Sequence, residues 1–189
     1  MPNSQQTPLF DNTDHFMGLG LDALCDLVVE RHHHYVSNAI RETEPILVNL
    51  TSLLNNKYPF LVRVLNAFHA ASDDLTMNLQ REELVLFPYI RSLEYCRREG
   101  TSPQIPHFGS ISKLLRNMEE EQTRALRSVG NIRRHTSGYF VPEGAGAAFE
   151  DAFARLEHFE ADLRVHIHLE HNILFPRAII LENTIHERN

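Results

Sequence analysis

Apolar residues recur along this chain at intervals of three and four rather than two, over four stretches each long enough for a major helix. The first covers about residues 21–54, with Leu21, Leu24 and Val28, then Val29, Val36, Ile40 and Leu47 at helical spacing. Asn55-Asn56-Lys57-Tyr58-Pro59 reads as a turn, and Pro59 suits the first turn of the next helix, where its missing N–H costs nothing. The second stretch runs to about residue 98. Pro88 is expected to kink or end its last part, because a proline inside a helix removes one hydrogen bond and crowds the preceding turn. Gly100-Thr101-Ser102-Pro103-Gln104-Ile105-Pro106 has the composition of a linker. The third helix covers about residues 110–135, striped by Leu115, Met118, Ala125, Val129 and Ile132. After a loop marked by Gly138, Pro142, Gly144 and Gly146, the fourth covers about residues 147–175, striped by Leu156, Phe159, Leu163 and Ile173. No segment sustains the alternation of a strand. The pattern predicts an all-α fold, an antiparallel up-down four-helix bundle over residues 20–182, with a flexible lead-in at 1–19 and a tail at 183–189.

Two pieces of the pattern repeat. Glu82-Glu83-Leu84-Val85-Leu86-Phe87-Pro88 and Glu170-His171-Asn172-Ile173-Leu174-Phe175-Pro176 share the form E-x-x-x-L-F-P, 88 positions apart and each late in a helix. In the second copy His166 precedes Glu170 by four residues, which sets both side chains on one helix face with Cβ atoms about 5–6 Å apart. In the first copy the equivalent position holds Asn78. Leu163, His166, Glu170 and Ile173 follow the same spacings as Leu75, Asn78, Glu82 and Val85, so polar groups interrupt an apolar stripe in both. A buried carboxylate needs a partner, and a cation is one.

Composition adds the reason to look for metal. Among 189 residues there are 12 histidines, against a net charge of -7 and an isoelectric point near 5.9. That acidity speaks against a nucleic-acid surface. No apolar run reaches the roughly 20 residues that span a bilayer, and the N-terminus lacks the basic and apolar regions of a secretory leader. Cys25 and Cys96 stand far apart, as reduced thiols of a cytoplasmic protein would. No nucleophile elbow, phosphate loop or dinucleotide fingerprint occurs, and no residue is assigned a catalytic role.

Arg31-His32-His33-His34-Tyr35-Val36, the stretch Arg81 to Pro88, the stretch His166 to Ala178 and, more weakly, Met118-Glu119-Glu120-Glu121-Gln122-Thr123-Arg124-Ala125 resemble the hemerythrin-like (HHE cation-binding) domain of the repair-of-iron-centres proteins. The resemblance covers about residues 20–182; the family's small N-terminal domain with its cysteine motif has no counterpart in this reading. It implies a bundle holding two irons, with a histidine on each helix and a bridging glutamate on two, in proteins that rebuild iron–sulfur clusters after nitric oxide or oxidative damage. Carried over, the implied metal ligands are His33, Glu82, His166 and Glu170, while Asn78 and Gln122 occupy positions where the family has histidine. Amide oxygen is a weak iron ligand beside imidazole and carboxylate. Three outcomes stand open: one iron, a weakened di-iron pair, or a metal-free hydrogen-bonded cluster. Asp162 is expected to orient the His166 ring. His32 is expected at an adjacent edge, His158, His168 and His171 at the surface, and Glu119-Glu120-Glu121 on a solvated face. His69 and Tyr35 read as packing residues. The functional expectation is iron–sulfur cluster repair, with iron–sulfur proteins as partners. Its rivals are a sensor or carrier of dioxygen or nitric oxide and a metal-free interaction protein.

Overall fold

A computed structural model describes residues 13–187, with side chains from residue 16 onward. Residues 1–12 of the expected flexible lead-in and 188–189 of the expected tail lie outside the described residues. A short helix α1 (Thr13–Gly18) precedes four rods. The first comprises α2 (Leu21–Val28), a π turn at Val29–His33 and α3 (His34–Leu54). The second comprises α4 (Phe60–Arg81), a π turn at Glu82–Leu86 and α5 (Phe87–Glu99). The third is α6 (Ile111–His135) alone. The fourth comprises α7 (Ala147–Leu169), a π turn at Glu170–Leu174 and α8 (Phe175–Glu187). Described residues outside these elements form turns and loops, with no strand among them.

The rods close into a ring: α3 packs on α4 and α7, α4 on α6, and α6 on α7. Contacts of α2 with α5 and of α3 with α4 make the first two rods antiparallel, while α5 meets α8 because the second and fourth run the same way. This is the expected antiparallel bundle. The first and third rods start with side chains on their leading amide groups. Ser110 accepts from the Lys113 N–H at 3.3 Å, and both oxygens of buried Glu182 accept from the Ile111 N–H at 3.1 and 3.2 Å. Buried Glu94 takes the Leu21 N–H at 3.2 Å in the same way. At the far end of the second rod, Gly100 closes α5 in the left-handed conformation (φ 67°), where a side chain would be strained.

Pro88 and Pro176 do not end their helices. Each follows a π turn in which the Phe87 and Phe175 N–H groups bond to the Glu82 and Glu170 carbonyls five residues back. The widened turn makes room for a ring that an α-helix would exclude, so E-x-x-x-L-F-P spells a π turn and its proline. The fourth rod therefore continues through the expected tail to Glu187, burying Leu181 and Ile185. At the other end, part of the expected lead-in is α1, and Phe16 is buried against the bundle. The π turn also shifts the inward register. Val85, expected inside, is 40% exposed, and Leu86 and Phe87 are buried instead.

The apolar core is in two halves. One gathers Leu24, Phe87, Leu93, Met118, Ile173 and Phe175 among others, and the second gathers Val36, Phe68, Leu75, Ala125, Phe159 and Leu163. In every rod the residues separating the halves are the polar ones singled out above.

Candidate metal centre

The three π turns lie at the level of this polar seam. His33 ends the first, and Glu82 and Glu170 begin the other two. His33, Asn78, Glu82, Gln122, His166 and Glu170 are all buried, none more than 2% exposed. One ligand atom from each of His33, Glu82, His166 and Glu170 lies within 4.8 Å of all the others, and this is the group capable of holding a metal ion among the described residues. His33 Nε2 is 3.1 Å from Glu82 Oε2 and 3.8 Å from Glu170 Oε1, and His166 Nε2 is 3.0 Å from Glu170 Oε1. The Asn78 amide donates to Glu82 Oε1 at 2.6 Å, and the Gln122 amide donates to Glu82 Oε1 at 3.3 Å and to Glu170 Oε2 at 2.8 Å.

A cation suits the seam. His33 Nε2 and Glu82 Oε2 face each other at close range, yet neither has a hydrogen-bond partner of acceptable alignment; Asn78 Oδ1 and His166 Nδ1 are also buried without one. Each such orphan costs about 1–3 kcal/mol, and an ion shared by His33 and Glu82 would satisfy two of them. Two imidazole nitrogens with two carboxylates form a donor set for a divalent first-row transition metal. The charges are strongly interlocked. Burial alone would discharge His33, but the Glu170 and Glu82 carboxylates outweigh it and push the imidazole up to about 10. Burial and the Glu170 charge push the Glu82 carboxyl above its usual range. Burial opposes the charge on Glu170 too, but His166 and His33 overcome it and hold that carboxyl well below its usual range.

Neighbouring residues correct several expectations. His32 is buried, not at an edge: its ring stacks on His166 at 5.4 Å with planes 4° apart. Asp162 holds His32 Nδ1 at 3.0 Å and does not orient His166 through Nδ1. The cause is the first π turn. It packs more residues into each turn, so successive side chains diverge less and both His32 and His33 face inward. Glu83, 43% exposed at its side chain, lies 2.8 Å from His33 Nδ1, the kind of support metal-bound imidazoles require. His171 is half-buried, with Nε2 against Gln122 Oε1. His168 is half-buried as well. The signal that could have found Glu83 and His171 is their place next to Glu82 and Glu170 in the repeat. Other expectations match: His158 is exposed beside the Tyr35 ring, and Glu119 and Glu120 are solvated. Glu121 instead pairs with Arg81 at 2.8 Å. Cys25 and Cys96 are free and buried.

A closed four-rod bundle with paired histidines and glutamates across its middle defines a class of helical proteins that bind a cation between facing helices. The family model described as the hemerythrin HHE cation binding domain matches residues 27–178, and the chain belongs to that family. It is similar to an iron-sulfur cluster repair protein, DnrN, of Neisseria gonorrhoeae, 27% identical over 83% of this chain and 90% of that one. It is also similar to iron-sulfur cluster repair proteins named YtfE. That of Pectobacterium atrosepticum is 32% identical over 60% of this chain and 46% of its own length. That of Yersinia pestis is 29% identical over 84% of this chain and 66% of its own length. The chain thus spans less than two thirds of those two YtfE relatives. No helix among the described residues is long and apolar enough to cross a membrane.

Proposed function

We propose that this chain is a non-haem iron protein of the iron–sulfur cluster repair type, working in the cytoplasm under nitric oxide or oxidative stress through an altered metal site. The observation that carries it is the convergence of His33, Glu82, His166 and Glu170 in a buried seam with orphaned donor atoms. The likeness to iron-sulfur cluster repair proteins directs the reading to repair. Bound iron would supply redox chemistry and positions for a small ligand such as dioxygen or nitric oxide. The chain's own part is to hold the ion with Glu82 and Glu170, complete the shell with the two imidazoles and keep bulk water out. Glu83 fixes the His33 ring from outside. The alteration is the pair of amides, Asn78 and Gln122, in place of two histidines. A weaker shell eases release of iron to an iron–sulfur protein, the partner this reading requires.

Those amides also favour a second reading, a metal-free bundle acting by protein contact, because their N–H groups already serve the two carboxylates. Elemental analysis of protein expressed with ample iron separates the two: the iron reading expects near-stoichiometric metal, and under a tenth of an equivalent sinks it. A sensor or carrier of dioxygen or nitric oxide would show a near-ultraviolet band that changes with the gas. The repair reading expects the iron-loaded protein to restore activity to a damaged iron–sulfur enzyme.

A further inference from the structure

The seam has two unlike sides. Glu82 turns Oε2 to His33 and Oε1 to Asn78 and Gln122, and Glu170 turns Oε1 to His166 and Oε2 to Gln122. Each carboxylate therefore spends one oxygen on imidazole and the other on amide. We propose that the seam takes a single divalent transition-metal ion on the imidazole side, and that the amide N–H groups hold the place a second, carboxylate-bridged ion would fill. The proposal rests on the metal-binding reading above and departs from the two irons that the resemblance implies.

Orientation and charge both lead here. His171 Nε2 sits against Gln122 Oε1, so the amide oxygen faces outward to an imidazole and its nitrogen faces the carboxylates. A primary amide nitrogen donates hydrogen bonds and has no lone pair to offer a metal. Gln122 thus contributes donors, not a ligand, and both of its contacts fall on the oxygens a second ion would need. Asn78 adds a third donor contact to the same Glu82 oxygen. Glu82 and Glu170 are fully buried and supply two negative charges. One dication with neutral imidazoles cancels them; a second would leave excess positive charge in the core, which burial penalises heavily.

The test counts metal. Metal-free protein is titrated anaerobically with Fe(II), and separately with Co(II) as a spectroscopic probe, and bound metal is measured per chain. The expected result is one equivalent, with the full paramagnetic signal of isolated Co(II). Two equivalents, or a signal quenched by coupling between neighbouring ions, would overturn the single-ion assignment while leaving the metal reading intact. No uptake of either metal overturns that reading and this proposal with it. The double variant Asn78→His, Gln122→His, checked for helix content, is expected to bind about two equivalents. A folded variant that stays at one shows that the amides do not set the count and overturns their role. The wild-type count decides the main claim if that variant does not fold.

Discussion

His33 stands among three carboxylates. Glu83 lies 2.8 Å from its Nδ1, while Glu82 and Glu170 lie 3.1 and 3.8 Å from its Nε2. Without an ion, the cheapest way to balance those charges is a proton on the imidazole; Glu170 and Glu82 outweigh its burial and push its pKa up to about 10. An incoming metal must displace that proton, since only neutral imidazole ligates. Glu82, raised above its usual range, holds its own proton to higher pH than an ordinary carboxyl and adds to the competition. The sign follows: protons and metal compete, so apparent affinity rises with pH, about tenfold per unit for each proton released. Calorimetric titrations with Co(II) between pH 6 and 8 should show this rise, together with proton release in weakly buffered solution. Flat affinity over that range would mean that His33 is neutral before the ion arrives. Replacing Glu83 with Gln, which keeps its size and removes its charge, should shift the profile to lower pH.

Helix by helix, the proteins's two halves obey one plan. Glu94 and Glu182 stand 88 positions apart, as Glu82 and Glu170 do, and each reaches across to the first backbone N–H of the preceding rod, Leu21 or Ile111. A remote carboxylate at a helix start satisfies an orphan donor and complements the positive end of the helix dipole. Glu182→Ala and Glu94→Ala should each cost about 1–2 kcal/mol by analogy with lost caps, read as a lower denaturation midpoint at unchanged helix content. The sequence made the four rods and the seam legible, because three-four periodicity and a repeated motif both survive without knowledge of partners. His33, Glu82, His166 and Glu170 fell together as that pattern required. What it hid follows from the π turns. A count of 3.6 residues per turn puts His32 at an edge and Val85 inside, and the wider turns reverse both. The reach of Glu94 and Glu182 depends on rods meeting in space, yet following the repeat six residues past Pro88 and Pro176 would have paired them.

For the molecule as a whole, the seam is where the rods are joined. The first rod brings one proposed ligand, the second one and the fourth two, while the third contributes Gln122. An ion bound there touches three rods at once and belongs only to the assembled bundle. Ligand that binds the folded state alone stabilises it by about 2.7 kcal/mol at a hundredfold excess over its dissociation constant. Thermal denaturation with and without Co(II) should therefore show a concentration-dependent rise in melting temperature. Hydrogen exchange should slow in the first, second and fourth rods together. Slowing confined to one rod would mean the ion sits elsewhere. The depth of the seam has a kinetic side as well. With every seam residue at most 2% exposed, an ion enters or leaves only when rods part. Exchange then proceeds no faster than that opening, whatever the concentration outside. A weaker shell would give up its ion in fewer openings than a tight one, so the amides and the helices together would set the tempo of release.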